Sequence, residues 1–350
     1  MSANDPKRTS IGNTKRPIID GPSFGGLYMH KWALPVALGL WTGMCPVSIE
    51  AQDRSDNIGV LLAGGPANNV RNLDALREGL RSHGWAEGNN VSITPVYAMG
   101  DYSRLPTLAK QLVDQKVRVV LAGNERSLIA AKDTGADIPI VVVACDPLEK
   151  LLGSLARPGG NATGISCVSA DLVGKRFDHL KAIVPNLKRV ALLFNPQDIS
   201  DIELREAAKA GNSLGIEITQ ISVTAPDDFN AAFDKMASAN CEALYVSLSA
   251  FTNFHAKRLS ELALQRRLPL ISSGPEFPEA GALMSYGSPL SEGFKRSAYF
   301  IDRILKGASP KDLPAEEPTK FYMVINGKTA ATLGLKIPDV IQVQADRIIE

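Results

Sequence analysis

Short apolar runs alternate with segments of helical period along the chain from residue 57 onward. The first pair sets the pattern: residues 58–63 form an unbroken apolar run, and Val70, Leu73, Leu76 and Leu80 follow at intervals of three and four residues. An unbroken run predicts a strand buried on both faces, and the interval predicts an amphipathic helix.

The same alternation fills two stretches of the chain. In the first stretch, strands are predicted over 91–97, 117–122 and 138–144, and helices over 105–113 and 128–131, with Ser103 as the cap of the former. In the second stretch, strands are predicted over 190–194, 216–223, 243–248 and 269–272, and helices over 202–214, 229–239 and 251–266. This pattern indicates two doubly wound α/β units of parallel sheet.

The C-terminal tail is too short for a third unit. It predicts a helix over 294–305, a strand over 321–325 and a short helix over 329–333. We therefore expect the tail to pack onto both units, so that the chain crosses between them more than once.

The N-terminal segment has the features of a secretory signal. Residues 1–28 are polar, Met29-His30-Lys31 follows, residues 32–47 are apolar, and residues 48–52 are small or polar. We predict export with cleavage near residue 51 and Met29 as the true start. An uncleaved anchor helix is an alternative, although 16 apolar residues are short for a membrane span. Lipidation of Cys45 is a further alternative that Met44 disfavours, because a lipoprotein signal carries a small residue there.

Composition and charge narrow the class of protein. The 350 residues are 45% hydrophobic and 21% charged, which is typical of a globular protein of two domains. Five of the 38 basic and three of the 37 acidic residues lie in the first 51 positions, so the remainder carries a net charge of −1. A nucleic-acid partner is not expected, because no large basic surface would be available to contact phosphates.

Three cysteines lie beyond the signal, at Cys145, Cys167 and Cys241. Their spacing matches neither a redox CxxC pair nor a zinc site. In an oxidising compartment a disulfide between Cys145 and Cys167 is one interpretation, and three small buried hydrophobic residues are the other.

The predicted ligand site follows from the sheet type. Ligands of open parallel sheets bind beyond the carboxyl ends of the strands, where helix N-termini favour a carboxylate. Acidic residues there suit an ammonium, and Phe251, Phe254, Phe277 and Tyr286 are candidates for an apolar wall. The predicted ligand-binding residues are Gly65, Pro66, Ala67, Asn124, Glu125, Asp146, Asn195, Ser247, Ser249, Ser273, Glu276, Phe277 and Tyr286. Since turns and helix caps prefer the same residue types, each of them alone also fits a purely structural role.

Catalytic, metal and cofactor motifs are not found. The turn after the first strand lacks the GxGxxG pattern, and the Gly327-Lys328-Thr329 string lacks the earlier glycine of a phosphate loop. The four histidines, His30, His83, His179 and His255, are isolated and are expected at the surface. We therefore expect no enzyme activity, no metal and no cofactor.

Several strings resemble one family. The most specific are Leu-Ala-Arg-Pro-Gly-Gly-Asn-Ala-Thr-Gly at 155–164 and Met-Ser-Tyr-Gly at 284–287, and the likeness extends over 57–350. These strings resemble ABC transporter substrate-binding proteins of the tryptophan/tyrosine-type uptake group. The chain departs from that group at two cleft loops, where Ser-Leu-Ser stands at 247–249 and Asn-Glu-Arg at 124–126. These departures leave open whether the ligand is aromatic.

The resemblance implies a type I periplasmic-binding-protein fold, with two Rossmann-like lobes joined by a three-crossover hinge. It places one lobe at 57–167 plus 288–318 and the other at 168–287 plus 319–350, with crossovers near 168–171, 286–288 and 318–321. It implies a periplasmic monomer that captures a small zwitterionic ligand and delivers it to an ABC permease and its ATPase. A periplasmic sensor subunit and, less favoured, an α/β enzyme are the alternatives.

Overall fold

The structure, a computed structural model, describes residues 56–145, 148–167, 169–198 and 201–350. The predicted signal with its start at Met29, the candidate lipidation site Cys45, and Asp146 lie outside the described residues. Residues 52–350 belong to one compact unit.

The first sheet has five parallel strands in the order β2-β1-β3-β4-β5. Four helices connect or follow these strands. The strands are β1 (Asp56–Leu62), β2 (Val91–Tyr97), β3 (Val119–Ala122), β4 (Ile140–Ala144) and β5 (Ala162–Ser166). The helices are α1 (Pro66–Ser82), α2 (Leu105–Asp114), α3 (Glu125–Asp133) and α4 (Leu148–Leu152).

The second sheet has seven strands in the order β12-β11-β10-β9-β8-β6-β7, and its pairs are parallel except β10 with β11. The strands are β6 (Arg189–Phe194), β7 (Glu217–Ser222), β8 (Ala243–Val246), β9 (Leu270–Ser272), β10 (Met284–Gly287), β11 (Tyr322–Asn326) and β12 (Arg347–Ile349). The helices that follow α4 along the chain are α5 (Val173–Ile183), α6 (Asp201–Leu214), α7 (Asp228–Ser238), α8 (Ala250–Phe254), α9 (Ala256–Gln265), α10 (Glu276–Glu279), α11 (Leu290–Leu305), α12 (Gly327–Leu333) and α13 (Asp339–Gln344), of which α11 packs on the first sheet.

The two sheets share one winding order. Counted from its own first strand, β6, the second sheet also runs 2-1-3-4-5 from β7 to β10, and β11 and β12 extend it. In both sheets the order reverses beside the first strand, between β1 and β3 and between β6 and β8. Such switch points open a crevice at the carboxyl ends of the strands, which is where doubly wound folds bind ligands.

The chain passes between the two sheets three times. It leaves the first sheet after β5 and packs α5 on the second, where Phe177 joins the core of that sheet. After β10 it returns as α11, whose Phe294 packs with the first-sheet core. It leaves again beyond a short 3₁₀ turn at Pro310–Asp312 and enters β11. The α/β class and the two doubly wound sheets joined by three passages, as expected from the sequence, are confirmed.

Two predicted helices differ from the structure. The segment predicted as one helix over 251–266 is two helices, because His255 departs from helical geometry at φ −100° and ψ 13°. Ser103 does not cap α2; it lies in a 3₁₀ turn whose cap is Asp101, and the Ser103 amide donates to the Asp101 carboxylate at 3.0 Å. Local side-chain capping therefore decides where these helices begin and end.

Individual burial predictions were wrong at two positions. Val70 is 56% exposed, although it follows the period of the buried face of α1. His179, expected at the surface, is 3% exposed, and burial lowers its pKa. Val70 lines an open groove beside α1, whereas α5 turns His179 toward Tyr286, with ring centroids 5.0 Å apart.

Strands β10 and β12 were not predicted. A strand was expected around Cys167 without defined bounds, and the structure has it as β5, which ends one residue earlier at Ser166. Gly164 in β5 shows why the strand has its composition. A Cβ atom at Gly164 would lie 2.0 Å from the Val142 carbonyl oxygen on β4, so only glycine fits. Among the described residues, no helix has the length and apolar character needed to cross a membrane.

Candidate functional site

The main candidate site is a cleft between the two sheets. It is lined by the loops that follow β1, β3, β6 and β8, the four strands beside the two switch points, together with the loop after β4 and the first turns of the following helices. The enclosed space, including its mouth, is about 850 Å³. The lining residues are Leu62, Ala63, Gly64, Asn68, Asn69, Asn72, Gly123, Asn124, Glu125, Val143, Cys145, Asp198, Glu203, Leu248, Ser249, Ala250, Asn253 and Leu290.

Three asparagines of α1 form one wall of the cleft. Gly65 caps the helix without a side chain and Pro66 occupies its first turn, where the missing N–H is no loss. The amide of Asn69 donates to the Gly65 carbonyl at 2.9 Å, and the amide of Asn72 donates to the Asn69 side-chain oxygen at 3.1 Å. The amide of Asn68 donates to a second-sheet backbone carbonyl. One N–H of each of these three side-chain amides is thus bound within the protein.

The N-terminus of α3 forms the adjacent wall. Asn124 caps the helix, since its side-chain oxygen accepts from the Ser127 amide at 2.9 Å. Glu125 is the first helical residue, and a carboxylate at this end of a helix is favoured by the helix dipole.

On the second-sheet side, Ser249 and Thr252 form a reciprocal capping box that begins α8. Ser249 lines the cleft, and so does Asn253, which is 8% exposed. The side-chain oxygen Oδ1 of Asn253 is buried without a hydrogen-bond partner among the described residues.

The sequence did not single out the two acidic residues of the β6–α6 connection. Asp198 accepts a hydrogen bond from the Tyr102 hydroxyl, and Glu203 accepts one from the Tyr245 hydroxyl at 2.6 Å. Arg176 is fully buried behind Tyr245 and donates to its hydroxyl at 3.2 Å. Both acidic residues follow β6, the first strand of the second sheet. Only the strand order reveals that β6 borders the switch point, so the sequence alone could not single them out.

Several hydrogen bonds join the two sides of the cleft. The Tyr102 hydroxyl lies between Asp198 and the Phe251 amide, which donates to it at 3.2 Å. The Asn68 amide donates to the Asn253 carbonyl at 3.2 Å. Burial, reinforced by the nearby charge of Asp198, raises the pKa of Tyr102 well above its ordinary value, so its hydroxyl remains a donor at neutral pH.

An ion pair closes the outer edge of the same interface. Arg71 on α1 donates to Glu279 on α10 at 2.8 and 2.9 Å, and Arg347, the first residue of β12, also donates to Glu279. Burial opposes ionisation of Glu279, but the hydrogen bonds from both arginines lower its pKa. Glu276 lies in the adjacent groove, and burial raises its pKa.

The structure places Asn124, Glu125 and Ser249 in the cleft lining, as the sequence predicted. Gly65 and Pro66 begin α1 at its edge, and Ala67 lies in the groove outside. The carboxylate of Glu276 lies in that groove too. Asp146 lies outside the described residues.

The other predicted site residues lie elsewhere for identifiable reasons. The Asn195 side chain closes its own turn by accepting from the Gln197 amide. Ser247 is buried, and its carbonyl accepts from Thr252. Ser273 lies beside Ser169 near the first passage between the sheets, 3.4 Å apart between hydroxyls. The loop after β9 is not part of the described cleft lining.

Among the described residues that line the cleft there is no phenylalanine, tyrosine or tryptophan. Phe277 is fully buried in the second-sheet core. The Tyr286 carbonyl accepts a hydrogen bond from Arg176 Nε at 2.7 Å, near the second passage. Phe251 and Phe254 line a separate outer groove together with Tyr102. The predicted aromatic wall is therefore absent from the described part of the cleft.

A disulfide joins Cys145 to Cys167, with Cα atoms 4.5 Å apart. The register explains it: Ala144 at the end of β4 pairs with Ser166 at the end of β5, so the next residue of each strand faces the other. Cys241 is free and half-buried. In the described ranges no group of three acidic, histidine or cysteine side chains is arranged to hold a metal ion.

The fold and the cleft at two facing switch points define a two-lobed α/β binding protein. The family model for "ABC transporter substrate binding protein" matches residues 61–349, and the chain belongs to this family. A relative described as "Tyrosine-binding protein" from Clostridioides difficile (strain R20291) is 27% identical over 284 residues, covering 79% of this chain and 80% of that protein.

Solved structures share the fold. An ABC domain from Streptococcus pneumonia in complex with L-Trp is 24% identical, with a TM-score of 0.78 over 84% of this chain and 100% of that one. A conserved domain protein from Vibrio cholerae o1 biovar eltor str. n16961 has the same TM-score at 23% identity and the same coverage. A ligand-free, open substrate-binding protein from Clostridium difficile is 21% identical, with a TM-score of 0.62 over 84% of this chain and 99% of that one.

Proposed function

We propose that this protein is the solute-binding component of an ABC importer and captures a small zwitterionic ligand of amino-acid size. The observation that carries the proposal is the cleft onto which loops of both switch points converge. The N-terminus of α1 suits a ligand carboxylate, and Glu125, Asp198 and Glu203 suit an ammonium. The tyrosine-binding relative and the L-Trp complex support this ligand class.

We propose that capture proceeds by closure of two lobes, 57–167 plus 288–318 and 168–287 plus 319–350, about the three passages. The bonds from Tyr102 to Asp198 and from Asn68 to the Asn253 carbonyl join the two lobes. These hydrogen bonds exist only when the lobes are together. A ligand can likewise contact both walls of the cleft only in that closed state. A ligand that contacts both walls shifts the equilibrium toward closure by its differential affinity.

The protein performs no chemistry in this proposal. It works as a monomer in the periplasm and presents its closed, loaded form to an ABC permease and its ATPase. Membership in the substrate-binding family supports these partners and this location.

A thermal-shift screen tests the proposal. The purified full-length chain is heated with each of the twenty amino acids and with small amines. A ligand present at about 100 times its Kd adds about 2.7 kcal/mol of stability, so at least one compound is expected to raise the melting temperature. A screen in which no compound raises it contradicts the proposal.

The Tyr102→Phe variant tests closure. It removes the hydroxyl that donates to Asp198, and such a charged hydrogen bond contributes about 1.5–3 kcal/mol. We expect the Kd of the screened ligand to rise about tenfold or more by titration calorimetry. Tyr299→Phe, on α11 away from the cleft, serves as the matched control and is expected to leave the Kd unchanged. Equal Kd values for wild type and Tyr102→Phe rule out this role for the hydroxyl.

A further inference from the structure

The guanidinium of Arg176 is a buried charge that binds the first two passages between the sheets. The side chain extends from α5 and is fully buried. Its Nη1 atom donates to the Ser169 carbonyl at 2.8 Å, on the first passage. Its Nε atom donates to the Tyr286 carbonyl at 2.7 Å, where β10 leads into the second passage. One side chain therefore fixes these two passages relative to each other.

The second passage also packs directly against this guanidinium. A Cβ atom at Gly287, the last residue of β10, would lie 3.2 Å from Nη2 of Arg176 and 2.7 Å from the Ser273 carbonyl oxygen. Nη2 has no hydrogen-bond partner among the described residues. The hydrogen bonds of Nε and Nη1 therefore hold the guanidinium in place, and two of them end on the passages.

A further hydrogen bond of Nη1 leads toward the cleft. This atom also donates to the Tyr245 hydroxyl at 3.2 Å, and that hydroxyl donates to the Glu203 carboxylate at 2.6 Å. A tyrosine hydroxyl can accept one hydrogen bond while it donates another, so the two contacts are compatible. Glu203 lines the cleft. A continuous chain of hydrogen bonds thus runs from the cleft wall to both passages.

Burial makes this chain sensitive at both ends. Arg176 and Glu203 are 0% and 5% exposed, and a buried charge is costly unless hydrogen bonds satisfy it. Tyr245 lies between the two charges, and its buried ring packs edge-on against Phe177, with centroids 5.5 Å apart. Hydrogen bonds in such a chain polarise and strengthen one another. A shift of Glu203 therefore changes how firmly Arg176 is held.

We propose that Arg176 is a positioning residue that couples the cleft to the passages about which the lobes close, and that Tyr245 carries this coupling to Glu203. The inference rests on the function proposed above, because the coupling serves closure on a ligand. A ligand that contacts the Glu203 wall acts on the same hydrogen bonds that fix the first two passages. Occupancy of the cleft thereby biases closure, and Arg176 itself does not touch the ligand.

Hydrogen exchange of the ligand-free, full-length chain tests the coupling. Peptides that cover Ser169 and Tyr286 report on the two passages. Tyr245→Phe keeps the buried ring and removes the hydroxyl. We expect the amides of these peptides to exchange about tenfold faster in this variant, because a hydrogen bond to a charged group contributes about that factor or more. Glu203→Gln removes the charge but keeps an acceptor, and we expect a smaller acceleration at the same amides.

A double-variant cycle separates coupling from lost packing. In the Tyr245→Phe background, Glu203→Gln is expected to add no further acceleration, because the link between the two residues is already cut. Glu206→Gln, one turn further along α6 and outside the cleft lining, is the matched control for the cleft charge. Tyr299→Phe, on α11, is the control for the hydroxyl. Both controls are expected to leave the two peptides unchanged.

Arg176→Lys keeps the charge and loses the planar fork that reaches several acceptors at once. It is expected to accelerate exchange at both passages, whereas its control Arg189→Lys, whose guanidinium binds the Asn240 carbonyl, is not. If Arg176→Lys fails to fold, the cycle of Tyr245 and Glu203 decides. A peptide covering β7 measures general stability and is expected to remain unchanged.

Three results overturn the proposal. The first is unchanged exchange at both passages in Tyr245→Phe. The second is equal acceleration in the β7 peptide, which shows a general loss of stability. The third is an effect of Glu203→Gln that is the same with and without the Tyr245 hydroxyl. None of these depends on a ligand, so the solute-binding function stands if an amino acid still raises the melting temperature. If no compound in that screen raises it, the proposed function is wrong, and so is the role assigned to the coupling.

Discussion

Removal of the disulfide is expected to destabilise the protein by an amount that its loop length sets. Cys145 and Cys167 are 22 residues apart in sequence, and the loop between them includes α4. In the double variant Cys145→Ser, Cys167→Ser, the unfolded chain regains the freedom of that loop. The loop-entropy relation gives a loss of about 3 kcal/mol at 25 °C.

The expected loss in free energy of unfolding can be converted into a fall in melting temperature, using the number of residues that unfold together. An unfolding entropy of about 2.1 cal/mol/K per residue, applied to residues 52–350, predicts a fall in Tm of about 5 °C. The bond also holds the loop after β4 against the end of β5, where Cys145 lines the cleft. We therefore expect weaker ligand binding in the double variant as well.

Differential scanning fluorimetry with and without a reducing agent measures this effect. Reduction of the wild type is expected to reproduce the Tm of the double variant and to expose two additional thiols in denaturant. The single variant Cys241→Ser, which removes the free cysteine, is the control and is expected to retain the full shift on reduction. A wild type whose Tm and thiol count are the same before and after reduction refutes the argument.

Two further perturbations test the packing and the titration of buried groups. Gly79→Ala is expected to destabilise the protein by about 1–3 kcal/mol, because its Cβ would lie 2.3 Å from the Lys295 carbonyl where α1 meets α11. Gly174→Ala, whose Cβ would have its nearest neighbour at 3.9 Å, is the control and is expected to be neutral or slightly stabilising by urea unfolding; equal losses in the two variants contradict the packing argument. Burial, aided by the charge of Lys175, lowers the pKa of His179, so its contribution to stability is complete above about pH 6.5 and is lost as the pH falls toward the lower folded pKa. The His179→Gln variant is expected to lack this loss of stability at low pH. If the free energy of unfolding falls equally in wild type and variant between pH 7 and 5, the argument is wrong.

The sequence predicted the alternating strands and helices well where the strands are unbroken apolar runs. It did not give the bounds of β5, whose Ala-Thr-Gly-Ile-Ser composition reflects a neighbour: Gly164 is required by the approach of β4. It merged α8 and α9, because the apolar period continues through His255 and only the backbone departs from it. In these elements a tertiary contact or a local cap outweighs the hydrophobic period.

In the candidate site, too, some features were predictable from the sequence and others depended on the tertiary structure. The sequence alone predicted that candidate ligand-facing residues follow the carboxyl ends of buried parallel strands, and three of those it named, Asn124, Glu125 and Ser249, line the described cleft. Strand order is a tertiary property, and it decided which strand ends face each other. It brought Asp198, after β6, and Glu203, in α6, to the cleft, because the crevice opens beside the first strand of each sheet, where the winding reverses.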